Sequence, residues 1–276
     1  MSWDKTSFDE IYRQPDPRAY FATLGPLDYQ IPTHGSAVFR RLAAALARDG
    51  RHVTVLDLCS SYGLTAALLN HDVTLADLRH RYADPDLAEL SPDELVDADQ
   101  EYFAARRRPH RTRVVGVDAS APAVRYAIRA GLLDAAFAEN LEDRTASDKL
   151  RASAADADLV TVTGGVGYIT SQTFERLLGC RDDPPWVAAF TLRTVGYDAI
   201  AAVLDRYGLV TEQLEGRTFK QRRFFDDRER RSTLDALARA GVDPTGLEAD
   251  GWYHSVFYLS RPAHHVAHRP VASFVA

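Results

Sequence analysis

The sequence predicts an α/β protein built on a mostly parallel sheet of seven strands with helices on both faces, and three observations predict it. Short β-branched and apolar runs alternate with helical patterns along the chain, the mark of successive βαβ units. Each run is apolar enough to be buried on both faces, as parallel strands are. No apolar stretch approaches the roughly 18 residues that a membrane helix needs, so no membrane partner is expected.

The elements follow in order. Residues 1–50 carry tyrosines and prolines and then the helical run Val38 to Ala47, which makes an N-terminal helical cap or lid. Val53-Thr-Val-Leu-Asp57-Leu is the first strand, and a helix runs through Leu64 to Leu69 after a turn. Residues 74–110 form a charged helical insertion. Thr74-Leu-Ala-Asp77 starts one helix there and Ser91-Pro-Asp-Glu94 a longer one. Val114-Val-Gly-Val-Asp118 is the second strand, followed by a helix from Ala121 to Ala130 that stops at Gly131. Ala135 to Ala138 is a weak third strand, and Asp158 to Val162 a fourth, leading through a Gly-rich turn into a helix around Gln172 to Leu178. Trp186 to Leu192 and a helix from Asp198 to Tyr207 come next. The last strands, Leu209 to Leu214 and Ser255 to Leu259, are separated by a helix from Arg228 to Ala240. Asp226-Asp-Arg-Glu229 starts that helix as a capping box with Asp in the first position.

Composition narrows the function classes. A chain of 276 residues fits one large domain, and we read it as one. Its 39 acidic against 33 basic residues leave a net charge of −6, which argues against a nucleic-acid partner because phosphate binding needs a basic footprint. Cys59 and Cys180 lie far apart with no metal-ligand spacing, so they read as free thiols in a reducing compartment. The opening MSWDKTSFDE lacks the basic flank and apolar core of a signal peptide, and a cytoplasmic location is expected. His264-His265-Val-Ala-His268 is a tail of the kind that is usually mobile, and no metal site is expected. The basic run Arg217 to Arg223 reads as a solvated strand face. A homo-oligomer is left open.

Chemistry concentrates at strand ends. After the first strand, Asp57-Leu-Cys59-Ser-Ser61-Tyr62-Gly63 passes from an acid through small residues into a helix, so the backbone can approach a ligand and offer unpaired N–H donors. Asp118 and Ala119 end the second strand, Asn140 and Leu141 follow the third, and Thr163-Gly164-Gly165-Val-Gly-Tyr168 follows the fourth. An ordinary turn residue would look the same at Asn140. There is no Gly-x-Gly-x-x-Gly with an acid about 20 residues on, which sets aside nicotinamide dinucleotide binding; hydrolase elbows, Walker loops and HExxH are also missing.

The first of these segments resembles the opening motif of class I S-adenosylmethionine-dependent methyltransferases, an acid followed by Gly-x-Gly-x-Gly. Asp57 matches the acid, while Cys59, Ser61 and Gly63 stand at the glycine positions and only the last is glycine. The resemblance spans about residues 50–70 and 114–260. It implies a Rossmann-like fold and S-adenosylmethionine as cofactor. The first loop would hold the methionine part, Asp118 the ribose hydroxyls, Asn140 the adenine, and the 163–168 turn the region of the reacting centre. The implied activity is methyl transfer to a small-molecule acceptor. Two alternatives stay open: a cyclase or lyase of the same fold, like the azetidine-2-carboxylate synthases that release methylthioadenosine, and a non-catalytic nucleoside-binding domain. Sulfonium chemistry needs alignment and water exclusion more than acid–base groups. Tyr29, His34 and Tyr168 are the residues expected to face the reacting centre, the tyrosines as cation-stacking hydrogen-bond donors and His34 as a base.

Overall fold

The computed structural model describes residues 8–47, 52–179 and 183–275. The readings made on residues 1–7 and on Cys180 lie outside the described residues.

Eight strands form one sheet: β1 Thr54–Leu58, β2 Arg113–Asp118, β3 Ala135–Ala138, β4 Leu159–Thr163, β5 Trp186–Leu192, β6 Leu209–Gln213, β7 Phe219–Arg223 and β8 Trp252–Pro262. Their order is β3-β2-β1-β4-β5-β8-β6, with β7 also paired to β8. The first five are parallel, and β8 runs antiparallel to β5, β6 and β7. From β1 the chain winds outward first through β2 and β3, then through β4 and β5. This reversal opens a crevice beyond the carboxyl ends of β1 and β4, where open α/β sheets bind their ligands.

The eighth strand corrects the sequence reading. β7 occupies the basic run taken for a solvated face, yet Phe219, Gln221 and Arg222 are buried. Strict alternation would expose one of the last two, but a register shift between Lys220 and Arg222 turns both inward. β8 is long enough to serve β6 with residues 258–262 and β7 with residues 252–255 along one edge.

The helices begin where capping chemistry places them. Two of the three insertion helices, Leu75–Tyr82 and Pro92–Ala104, open with complete capping boxes at Thr74/Asp77 and Ser91/Glu94, and the single turn Pro85–Ala88 lies between them. Helix Asp227–Arg239 has half of one: Asp226 accepts from the Glu229 N–H at 2.7 Å, but the Glu229 carboxylate accepts from the Phe225 N–H instead. Helix Ala121–Arg129 ends before Gly131, whose φ of 73° suits glycine. The N-terminal region holds three helices, Asp9–Tyr12, Arg18–Leu24 and Ile31–Leu46. The last starts seven residues ahead of the apolar run that announced it, with Pro32 in its first turn. Asp148–Ala155, which the sequence reading left out, is also helical.

Two apolar layers sandwich the sheet. Val55, Val114, Leu159 and Phe190 face helices Ile31–Leu46, Leu64–Asn70 and Ala121–Arg129. Leu56, Val115, Val160 and Val187 face helices Asp148–Ala155, Ser171–Leu178 and Asp198–Arg206. The histidine tail is helical over Ala263–His268, and His265 accepts the Trp186 indole N–H at 3.1 Å, so it packs on the sheet. Among the described residues no helix is long and apolar enough to cross a membrane.

Candidate active site

The loop after β1 has a backbone made for glycine. Cys59, Ser61 and Gly63, the three positions aligned with glycines, have φ of 57°, 52° and 78°. Left-handed backbone costs non-glycine residues on the order of 1 kcal/mol each. Gly63 caps helix Leu64–Asn70, and a Cβ there would come within 3.1 Å of the Ala127 side chain. The loop is held by its neighbour strand: Ser60 N–H donates to the Val117 carbonyl at 3.2 Å, and Ser61 N–H donates to Asp118 Oδ2 at 2.8 Å. The other Asp118 oxygen accepts the Ser120 N–H at 2.8 Å. Burial pushes the Asp118 carboxyl up, against the pull of those two N–H groups.

These strand ends open on a cavity of about 570 Å³, within the range of small-molecule sites. Cys59, Ser61, Asp118, Ala119, Asn140 and Leu141 line it, joined by Thr163, Gly164, Gly165 and Tyr168 from the loop after β4. Tyr29 reaches it from the N-terminal cap. Gly165 lies so close to Cys59 that a Cβ would sit 2.7 Å from the thiol sulfur. Burial raises the pKa of Tyr29 and Tyr168, so both are neutral phenols at ordinary pH. Tyr168 stands at the rim with 56% of its surface exposed.

Of the other expected site residues, most lie off the cavity, and the side chain of Asn140 is engaged beside it. Asp57 is 1% exposed behind the loop; its Oδ1 accepts the Thr161 hydroxyl at 2.7 Å, and its Oδ2 has no hydrogen-bond partner within normal distance among the described residues. Burial pushes its pKa up to about 7, against the Thr161 hydrogen bond and the nearby Thr65 hydroxyl. Tyr62 turns away from the cavity, and its hydroxyl donates to the Ile11 carbonyl at 2.6 Å. Gly63 shapes the loop without lining the cavity. His34 is half-buried with its ring 5.4 Å from that of Phe219, and only Pro32 of its helix lines the cavity. Burial, then Arg217, lower its pKa. Asn140 spends its side chain on a turn, accepting from Glu142 N–H at 3.0 Å and donating to Asp143 at 2.5 Å.

Several lining residues escaped the sequence reading, among them Phe8, Asp9, Tyr12 and Arg13 from the N-terminal cap, and Gln221 and Arg222 from β7. Arg222 is nearly fully buried and makes a two-pronged ion pair with Glu229 at 2.7 and 2.8 Å, under the rings of Phe8 and Tyr253. The basic run around it was the available signal. Gln221 accepts from the Ser255 hydroxyl at 2.9 Å and faces Gly164.

No protein-family model matches the sequence, and no curated protein does. Among solved structures the chain is similar to magnesium protoporphyrin IX methyltransferase from Synechocystis PCC 6803 with bound S-adenosylmethionine, at 13% identity and TM-score 0.40, over 84% of this chain and 79% of that one. It is similar to a TehB-like S-adenosylmethionine-dependent methyltransferase from Corynebacterium glutamicum at 15% identity and TM-score 0.39, over 81% and 86%. It is also similar to the YcgJ protein from Bacillus subtilis at 10% identity and TM-score 0.46, over 83% and 99%. Five parallel strands wound outward from β1, and an antiparallel strand seated between β5 and β6, give this chain a Rossmann-like fold.

Proposed function

We propose that this chain is an S-adenosylmethionine-dependent methyltransferase acting on a small molecule. The observation that carries the reading is Asp118. Each of its oxygens accepts one backbone N–H at 2.8 Å, which fixes the carboxylate at the cavity wall and leaves a lone pair on each oxygen for two vicinal hydroxyls. The surrounding residues fit the cofactor. Ser61 Oγ and Thr163 Oγ1 are buried at the cavity without a hydrogen-bond partner among the described residues, and the Gly165–Cys59 approach makes a cradle that any side chain at 165 would fill.

When bound, the cofactor supplies an electrophilic methyl carbon on a good thioether leaving group. The chain's own part is placement. The loop after β1 grips the amino-acid end, Asp118 clasps the ribose, and Leu141 covers the base. Because the Asn140 amide is occupied in its turn, the Asn140 backbone rather than its side chain meets the adenine edge. Tyr12, Tyr29 and Tyr168 enclose the reacting centre and exclude water. Both cavity arginines are paired with carboxylates, Arg13 with Glu10 and Arg222 with Glu229, which favours a neutral or cationic acceptor over an anionic one.

A second reading is favoured by one observation: His34, the expected base, is outside the cavity, and the tyrosines that line it, Tyr12, Tyr20, Tyr29 and Tyr168, are held neutral by burial. A cyclisation of the cofactor needs no external acceptor site: its unprotonated amino nitrogen would bond to the γ-carbon of the methionine chain as that carbon's bond to sulfur breaks, methylthioadenosine would leave, and the amine's proton would pass to water. One experiment separates the readings. The protein is incubated with S-adenosylmethionine and the released nucleoside identified. S-adenosylhomocysteine in the presence of an amine or phenol acceptor supports methyl transfer; methylthioadenosine without any acceptor supports cyclisation or lysis. Neither product, with no heat of S-adenosylhomocysteine binding, leaves a non-catalytic domain. His34→Ala is expected to leave turnover within about twofold, as suits a residue outside the site.

A further inference from the structure

We propose that residues 9–14 are a gate over the cavity held shut by Tyr62 and Ser120, and that Tyr62 is a positioning residue. The proposal rests on the cofactor reading only for what the cavity holds.

The internal support of the segment is local: Gln14 Nε2 donates to the Glu10 carbonyl at 3.0 Å, and Arg13 pairs with Glu10 at 2.9 Å on the surface. Helix Asp9–Tyr12 is one turn long, without a side-chain cap, yet the segment brings Asp9, Tyr12 and Arg13 to the cavity. The rest of the N-terminal region is anchored to other parts of the molecule. The Arg18 guanidinium donates to the Leu87 and Leu90 carbonyls at 2.9 and 2.8 Å, and Arg79 donates to Asp28 and to the Tyr29 carbonyl. Backbone bonds of 2.7 Å join Gln30 to Gln221 and Arg223 to Leu27. Residues 11–14, by contrast, are pinned from the two strand-end loops. Tyr62, 4% exposed, donates its hydroxyl to the Ile11 carbonyl at 2.6 Å, with the Gln14 carbonyl at 2.9 Å sharing the proton. The Ser120 hydroxyl donates to the Tyr12 carbonyl between them.

Both pins start from residues that Asp118 fixes. Ser61, whose N–H meets Asp118 Oδ2, immediately precedes Tyr62; Ser120 gives its own N–H to Oδ1. A ligand that settles on Asp118 and on the loop after β1 therefore steadies the two side chains that hold Tyr12 over the cavity. Occupancy and closure become one equilibrium, and closure excludes water from the sulfonium.

The test is amide hydrogen exchange by mass spectrometry on the wild type, Tyr62→Phe and Ser120→Ala, with and without S-adenosylhomocysteine. Tyr62→Phe keeps the ring between Tyr20 and Tyr126 and removes the hydroxyl alone. Exchange at residues 9–14 is expected to rise about fivefold in either variant, with β1 and β2 unchanged. Ligand is expected to slow that exchange in the wild type and to slow it less in the variants. The dissociation constant for S-adenosylhomocysteine should stay within about twofold of wild type in Tyr62→Phe, and nucleoside release should lose kcat without a rise in KM. Unchanged exchange at 9–14 in both variants overturns the gate. An affinity loss in Tyr62→Phe as large as that of Asp118→Ala makes Tyr62 a cofactor contact and also overturns it. If the wild type binds no S-adenosylhomocysteine, the cofactor reading fails, and the unliganded exchange still decides the gate.

Discussion

Ser61 and Asp118 are joined by a 2.8 Å hydrogen bond from a backbone N–H to a carboxylate, across 57 positions of sequence. The bond fixes the mouth of the cavity before any ligand arrives. It also places a non-glycine residue in left-handed backbone, so the loop is held in a conformation that Ser61 would not choose alone.

Replacing Asp118 tests that arrangement. Asp118→Ala removes the acceptor for two backbone N–H groups and for the proposed ribose contacts. Loss of binding free energy of roughly 1.5–3 kcal/mol per charge-assisted hydrogen bond is expected. Calorimetric titration with S-adenosylhomocysteine measures it, and unchanged affinity would refute the assignment.

Gly165→Ala puts a methyl group 2.7 Å from the Cys59 sulfur. Overpacking of this kind costs typically 1–3 kcal/mol. Cys59→Gly removes the obstacle and relaxes a left-handed residue, so the double variant should recover most of the loss. Urea unfolding of the four proteins gives the coupling energy; additive losses would mean the two residues do not meet.

Asp57 makes stability depend on pH. Burial raises its folded-state pKa to about 7 from the ordinary 3.8, so the folded chain keeps a proton that the unfolded chain releases. The stabilising difference is complete below about pH 4, declines as pH rises, and is gone above about pH 7, amounting to on the order of 4 kcal/mol. Asp57→Asn still accepts from Thr161 and should flatten this slope, leaving the variant more stable than wild type at pH 8. Parallel stability curves for the two proteins between pH 4 and 8 would contradict the buried, partly protonated state.

Glu229 is the partner that makes a buried Arg222 tolerable. Glu229→Gln strands that charge, at a cost of about 3–5 kcal/mol. Adding Arg222→Met removes the charge and should restore much of the stability in chemical unfolding. A single-variant loss below about 1 kcal/mol would show that the guanidinium finds water or another partner.

The parts of this molecule that were legible in sequence are those whose signal is local. β1, β2, β4 and β5 are β-branched or apolar runs, and Thr74, Ser91 and Asp226 advertise helix starts within four residues. β7 was illegible as a buried strand because its inward positions include Gln221 and Arg222, chosen for a cavity and a carboxylate partner rather than for apolar packing. The place of Asp118 at the cavity was legible because a strand-end acid is a local pattern. Phe8 and Tyr12 were missed because nothing near them in sequence says which loops they will meet, and His34 was misplaced for the same reason. Tyr62 sits at the expected place in the motif, but its ring points into the tyrosines beside it.

The position of β8 has a consequence for synthesis on the ribosome. This strand, latest in the chain, occupies an inner place and supplies the partner edge for β5, β6 and β7 at once. Until Trp252–Pro262 has emerged, the apolar β5 presents an open hydrogen-bonding edge of the sort that templates aggregation. Synthesis must therefore pass from residue 192 to residue 252 with that edge of β5 unsealed, and translation that stalls between them leaves the edge exposed.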